Sequence, residues 1–328
     1  MSSLQDADRR TMRDAALPAG APGDFVATLA HLGALRFSGE DAQAFLQGQL
    51  SCDVERVGPR SSSYGAYCSP KGRMIANFLL LRDDAGFAMV LSSDLVPAVQ
   101  KQISKFVLRS KVKVSDASQA VVLAGAAGVQ AGRALAGIFP EVPEAPGEVR
   151  SVPGTGAIVR LKDGRWLLVL DAKEAAAALH GLERHLAPAD ASVWRWLDIR
   201  GGVPLVTAAT QDQFIPQMAN LELIGGVSFE KGCYTGQEVV ARTQHLGKVK
   251  RRMFLANVAV AAQAGDTTYS EDLGEQASGM VMNAEPSPDG GYDLLAVVHA
   301  ASRERSTVHL KAPDGPVLRF LALPYAVA

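Results

Sequence analysis

Residues 74–108 read MIANFLLLRDDAGFAMVLSSDLVPAVQKQISKFVL. Met74–Leu81 is a nearly continuous apolar run. Arg82-Asp83-Asp84-Ala85-Gly86 has turn composition, and Phe87–Leu91 is apolar again, so the two runs predict a hairpin. From Asp94 to Leu108 the period changes. Leu95, Val99, Ile103 and Val107 recur four apart, the spacing of one helix face.

The same plan returns about 85 residues later. Ala157–Leu161 predicts a strand, Lys162-Asp163-Gly164 a tight turn and Trp166–Leu170 the returning strand. Asp171 and Glu174 have capping-box spacing ahead of a helix with Ala175, Leu179, Leu182 and Leu186 on one face. Val121–Ala124 and a helical stretch near Val129–Ile138 supply a further strand and helix. Two copies of strand–turn–strand–helix predict a duplicated, ferredoxin-like α+β arrangement. Upstream, Leu35–Phe37 predicts a short strand. Ser38 is placed to cap a helix over Glu40–Leu50, with Phe45, Leu46 and Leu50 inward. Pro140–Pro153 reads as a surface loop.

Beyond Leu246 the helical signal stops. Met253–Val258, Met280–Met282, Leu294–Val298, Thr307–Leu310 and Val317–Leu323 are short apolar stretches. Pro286–Gly291 and Ala312–Pro316 are turn clusters between them. This predicts a small all-β domain, a barrel. The expected division is a polar tail over 1–24, a duplicated α+β region over 25–245 and a β-barrel domain over 246–328.

Composition narrows the function classes. The 328 residues exceed one ordinary core, and 48% hydrophobic with 20% charged is a globular balance. A formal net charge of −1 gives no bulk attraction to nucleic acid or a membrane. No run of 18 apolar residues exists, and the N-terminus lacks a signal pattern. Three scattered cysteines, Cys52, Cys68 and Cys233, form neither a disulfide framework nor a metal motif. The expected setting is cytoplasmic and reduced.

Residues 211–246, QDQFIPQMANLELIGGVSFEKGCYTGQEVVARTQHL, concentrate the chemistry. Thr235 and Glu238 have capping-box spacing before Val239 and Val240. Cys233 then lies just outside a helix N-terminus, whose unpaired amides favour the thiolate form, and Lys231 adds positive charge. A buried cysteine filling a gap beside glycines is the other reading of the same residues. Cys52 and Cys68 lack such flanks and read as structural. Gly225-Gly226, Gly232 and Gly236 allow sharp turns or close approach. Arg242, Lys248, Lys250, Arg251 and Arg252, with His245, form a basic cluster: a solvated strand face, or a docking patch for a multiply anionic group.

Four strings carry a family resemblance. KGCYTGQE at 231–238, extended to Arg242, resembles the signature of the YgfZ family, folate-binding proteins related to the glycine-cleavage T-protein. FLQGQLSCDV at 45–54 with SPKGRM at 69–74, and QFIPQMANL at 213–221, resemble that family's preceding motifs. The resemblance covers roughly residues 30–328. It implies a three-lobed T-protein-like α+β fold: two ferredoxin-like lobes and a C-terminal β-barrel around a central channel. It further implies a reduced folate as cofactor, tetrahydrofolate or a one-carbon derivative. The partners it implies are iron–sulfur client or assembly proteins, including an enzyme that methylthiolates tRNA, with no direct nucleic-acid contact.

Carried over position by position, Cys233 is the candidate redox-active or transient-ligand thiol. Lys231, Tyr234, Gln237, Glu238 and Arg242, with Gln47, Gln49, Asp53, Lys71 and Arg73, are the candidate folate-site residues. Phe214, Gln217 and Met218 join them from the third motif. A pterin needs paired donors and acceptors on its edge and an apolar wall, and its glutamate tail needs a cation such as Arg242. The sequence also departs from the T-protein pattern. Ala76 and Asn77 stand where T-proteins carry adjacent acidic residues, and a pterin-binding glutamate is replaced near Arg200. An asparagine is neither a base nor an anionic partner. This weighs against the second reading, a tetrahydrofolate-dependent one-carbon transferase.

Overall fold

The computed structural model describes residues 17–246 and 249–327. Most of the expected N-terminal tail lies outside these residues. Its end is anchored: Leu17 and Ala21 pack on buried residues of the first two sheets.

In chain order, β1 (Phe25–Thr28) is followed by β2 (Leu32–Ser38), α1 (Ala42–Gln47), β3 (Ser62–Cys68), β4 (Met74–Asp83), β5 (Gly86–Ser92), α2 (Val96–Ser104) and β6 (Lys113–Asp116). Next come β7 (Val121–Ala127), α3 (Ala131–Ala136), β8 (Val149–Val152), β9 (Gly156–Arg160), β10 (Trp166–Asp171), α4 (Ala175–Glu183), β11 (Ala187–Pro188) and α5 (Ala191–Arg200). The two runs share one plan. Strand order is β3-β4-β5-β2-β6 in the first sheet and β8-β9-β10-β7-β1-β11 in the second. Matching β2 to β7, and so on to β6 and β11, superposes the orders once β1 is set aside. That strand precedes both copies and inserts between β7 and β11.

The alternating strand pattern gives each sheet two apolar faces. Leu79, Leu81, Ala88 and Val90 of the first sheet share a core with Leu123, Val159, Leu167 and Val169 of the second. The far face of the second sheet is covered by α3 and α4 through Leu135, Ala178 and Leu182. The far face of the first packs Phe37, Phe78 and Leu80 against α1, α2 and residues Phe214, Leu221 and Ile224. Each fully buried leucine in these layers contributes ~1.5–3 kcal/mol of transfer free energy.

The C-terminal part begins as α6 (Gln237–Leu246) ends. It holds β12 (Arg251–Val258), β13 (Thr267–Ser270), β14 (Ala277–Pro286), β15 (Tyr292–His299), α7 (Ala300–Arg305), β16 (Val308–Leu310) and β17 (Arg319–Leu321). Its antiparallel sheet has the order β16-β13-β14-β15-β12-β17. Met253, Leu255, Leu295 and Val297 join the core under the first sheet, while Phe254, Ala256, Leu294 and Ala296 enclose a separate cluster.

Several sequence expectations need correction. Ser38 ends β2, and α1 is preceded by Asp41, whose carboxylate accepts from Lys111 N at 2.7 Å. Asp171 accepts from Lys173 N, so no capping box forms with Glu174. The helix expected to reach Leu108 stops at Ser104; turns follow, in which Leu108 has φ 44° and is exposed. Val149–Val152 is an edge strand rather than loop, paired with β9. β13 and α7 were not foreseen: TTYS is weakly apolar, and AASRER has no apolar stripe.

Candidate functional site

Four separated stretches meet under the first sheet. The turn at 69–74 is closed by Ser69 N to Arg73 O and Gly72 N to Ser69 O, both 2.8 Å. It is zipped to the third motif: Met74 N donates to Phe214 O, and Asp212 N donates to Met74 O, both 2.8 Å. Ser69 Oγ donates to Asp212 Oδ1 at 2.8 Å, and the Arg73 guanidinium donates to Gln213 O.

The same turn seats the cysteine loop. Gly72 and Gly236 have φ of 71° and 83°, where side chains are disfavoured. A Cβ on Gly72 would stand 2.8 Å from Val239 Cβ, and one on Gly236 would press into Ser69 O and lie 2.9 Å from Gly72 Cα. The two turns therefore touch backbone to backbone. Helix α6 opens at Gln237, so Thr235 stands two residues ahead of it and Cys233 four. The helix terminus is thus farther from the thiol than the capping-box reading placed it.

The first motif holds the loop from the other side. Gln47 donates from Nε2 to Asp53 Oδ1 at 2.9 Å and accepts from Val54 N at 2.8 Å. Asp53 also accepts from Glu55 N and pairs with Arg56 at 3.1 Å. The Lys231 ammonium donates to the carbonyls of Gln47 (2.7 Å), Leu50 (2.7 Å) and Cys52 (2.8 Å). Burial lowers its pKa, while the neighbouring Cys52, Asp53 and Glu55 oppose this. Ser51 adds two links: its Oγ donates to Gly226 O at 2.6 Å, and its carbonyl accepts from Ser228 N at 2.9 Å.

Cys233 itself is exposed, which overturns the gap-filling alternative. Cys52 and Cys68 are buried, and burial pushes both thiols up to about 12. Tyr234 is buried, its ring 5.3 Å from Lys231 Nζ, with its hydroxyl enclosed and without a hydrogen-bond partner. Burial raises its pKa. The amide oxygen of Gln49 is likewise enclosed without a partner. Gln237 is half-buried, and Lys71, Arg73, Glu238 and Arg242 are exposed.

Phe214 and Gln217 are interior. Phe214 belongs to the core, and Gln217 Nε2 donates to Val240 O at 2.7 Å, tying the third motif to α6. Arg252 was read as part of an exposed basic cluster. It is buried, donating to Gln217 O at 2.8 Å and pairing with Glu222. Lys250 is exposed and Arg251 half-buried; Lys248 lies outside the described residues. Asn77 is also buried. Its Nδ2 donates to Pro204 O and its Oδ1 accepts from Val206 N, both at 2.7 Å. Arg200 stands 3.5 Å from Asp293.

A cavity of about 680 Å³ lies between the first two sheets. Leu81, Ala88, Val149, Ala157 and Val169 form apolar walls, and Arg36, Arg60, Arg150, Asp84 and Asp171 supply polar lining. None of the expected folate residues lines it. Its walls look like ordinary core strands in the sequence, so no motif marks it. Arg36 pairs with Asp83 at 2.6 Å, Arg60 with Glu148 at 3.6 Å, and Arg150 with Glu141 at 2.8 Å and with Glu148. Among the described residues no cluster of three or more metal-ligating side chains occurs, and no helix is long and apolar enough to cross a membrane.

No family model matches the chain. Curated relatives do. It is 35% identical over 295 residues to the tRNA-modifying protein YgfZ of Enterobacter sp. (strain 638), covering 88% of this chain and 90% of that one. The protein of the same name from Klebsiella pneumoniae (strain 342) is 34% identical over 294 residues, covering 88% and 89%. Its counterpart in Sodalis glossinidius (strain morsitans) is 33% identical over 294 residues, with the same coverage. In three dimensions the chain resembles the glycine cleavage system aminomethyltransferase T from Bartonella henselae. The TM-score is 0.76 at 17% identity, covering 94% of this chain and 87% of that one, so the mixed α/β fold is that of aminomethyltransferase T.

Proposed function

The chain belongs to the YgfZ family, and on that premise we propose that it binds a reduced folate and serves tRNA modification by supporting iron–sulfur enzymes. Cys233 is the redox-active or transiently ligating thiol in this reading. The observation that carries it is the convergence of residues 45–54, 69–74, 213–221 and 231–242, which leaves one exposed sulfur at the junction.

The folate half rests on fit. The inter-sheet cavity has the size of a small-molecule site and apolar walls to set against a pteridine and aminobenzoate. Asp84 and Asp171 offer acceptors for a pterin edge, and Arg36, Arg60 and Arg150 suit the glutamate carboxylates. The same reading includes the three-lobed arrangement around a channel and the division at residues 24 and 245. It also includes a cytoplasmic setting, and iron–sulfur client or assembly proteins as partners, without direct contact to nucleic acid. The folate is tetrahydrofolate or a one-carbon derivative.

The test joins two measurements. Tetrahydrofolate is titrated calorimetrically into the full chain, and tRNA methylthiolation is quantified in cells carrying wild-type or Cys233→Ala protein. Saturable heat and a modification defect in Cys233→Ala cells are expected. Absence of heat removes the folate half; intact modification removes the role of the thiol. Methyl or aminomethyl transfer by the purified protein would replace the accessory role with an enzymatic one.

A further inference from the structure

We propose that Lys231 is a positioning residue for Cys233: its ammonium, gripped by three carbonyls of the 47–52 turn, latches the cysteine loop in its working position. This rests on the role for Cys233 proposed above. The loop has fixed ends. Upstream, Ser51 ties Gly226 and Ser228; downstream, Gly236 sits against Ser69 and Gly72. Between these ends Tyr234 turns inward, while the segment around Gly232 and Cys233 reaches outward. A Cβ on Gly232 would meet nothing within 4 Å, and Cys233 is exposed. Glu230 is exposed and pairs with the exposed Arg56 at 3.3 Å, a pairing of little energetic weight.

Lys231 is different in kind. An ammonium has three donors and no acceptor. All three acceptors here are main-chain oxygens of one turn, at 2.7–2.8 Å. The Tyr234 ring covers the ammonium at 5.3 Å. Those carbonyls sit in the first motif, which Gln47 and Asp53 already brace from within. The latch therefore joins a rigid turn to the loop two residues from the exposed sulfur. The ammonium's three donors are committed to those carbonyls, so its direct contacts hold the loop.

Lys231→Met removes the donors at nearly equal volume. Lys231→Arg keeps the charge, but a planar fork cannot aim at three converging oxygens. Hydrogen exchange of the 229–236 amides is expected to quicken about tenfold or more in both variants, the signature of local opening. Cys233-dependent tRNA modification falls with it, while exchange of the β7, β9 and β10 amides, remote from the latch, stays near wild type. Ser51→Ala, which loosens the same turns upstream, serves as the control: it lowers stability without that local signature. Exchange unchanged in Lys231→Met overturns the latch. Full retention in Lys231→Arg overturns it too, in favour of charge alone. Faster exchange in cells whose modification does not depend on Cys233 leaves the latch standing and sinks the functional reading instead.

Discussion

Asn77→Asp places a carboxylate where the resemblance to T-proteins implies an acidic residue, and the structure predicts that it harms rather than activates. Asn77 is buried and uses both ends of its amide, donating to Pro204 O and accepting from Val206 N at 2.7 Å each. An ionised aspartate keeps the second bond and turns the first into contact between two acceptors. Burial and that contact both favour the protonated acid, which can still donate to Pro204 O. The folded-state pKa of the new group therefore rises above its unfolded value of ~3.9. Its neutral form stabilises the fold below that value, and the stabilisation is lost as pH rises through the folded pKa. A rise of about 2.5 pH units gives a penalty of ~3 kcal/mol at pH 8 and ~1.5 kcal/mol at pH 5. Urea midpoints of wild type and variant, measured at both pH values, read the difference. A variant whose loss of stability is the same at pH 5 and 8 refutes the acceptor–acceptor argument. Gain of aminomethyl transfer would refute the claim that this position is structural.

Gly236→Ala forces a side chain into left-handed backbone against Ser69 O and should cost at least ~2 kcal/mol, read as a urea midpoint shift; a change under ~0.5 kcal/mol contradicts the packing of the two turns. A native thiol titration with a disulfide reagent at pH 8 should label Cys233 fast and leave Cys52 and Cys68 until unfolding, since burial holds both near 12; two fast thiols would contradict this. His31 is lowered to about 4 by burial and by Arg195. Its neutral form stabilises the fold above the unfolded value of ~6.5, and ~3 kcal/mol is lost as pH falls from there to about 4. His31→Leu should flatten that acid limb, and an unchanged limb would assign it to other groups.

The duplicated plan was legible because it is local: two apolar runs, a polar turn and a four-residue period suffice to place β4, β5 and α2, and again β9, β10 and α4. What failed was either ambiguous or non-local. Ser38, Asp171 and Thr235 have cap-like chemistry, but each sits two or more residues from the observed helix start, and turn hydrogen bonds rather than side-chain type decide that register. β1 leaves its sequence neighbours for the second sheet, a choice made by pairing partners a hundred residues away. The motif strings, far apart in sequence, meet under the first sheet. Their roles were not readable, because Lys231 binds main-chain oxygens, which carry no sequence identity, and Gly72 meets Gly236 through backbone alone. Gln47, Asp53, Lys231 and Gln217 hold four segments together, and Phe214 fills core, contacts that no spacing in the strings announces.

That division has a consequence for chemistry. Cys233, Glu238, Arg242, Lys71 and Arg73 are exposed around the junction, whereas the half-open cavity proposed for the folate lies between the first two sheets. Binding and thiol function are then separable. Arg150 lines the cavity, and its ion pair to the exposed Glu141 is one that a ligand carboxylate can displace. Losing a charge-assisted contact of ~1.5–3 kcal/mol weakens tetrahydrofolate binding about ten- to a hundredfold in Arg150→Ala. The same variant should label Cys233 at the wild-type rate. Cys233→Ala should bind tetrahydrofolate as wild type does and fail in tRNA modification. If Cys233→Ala abolishes calorimetric binding while Arg150→Ala leaves it intact, the folate sits against the sulfur and the cavity assignment is wrong.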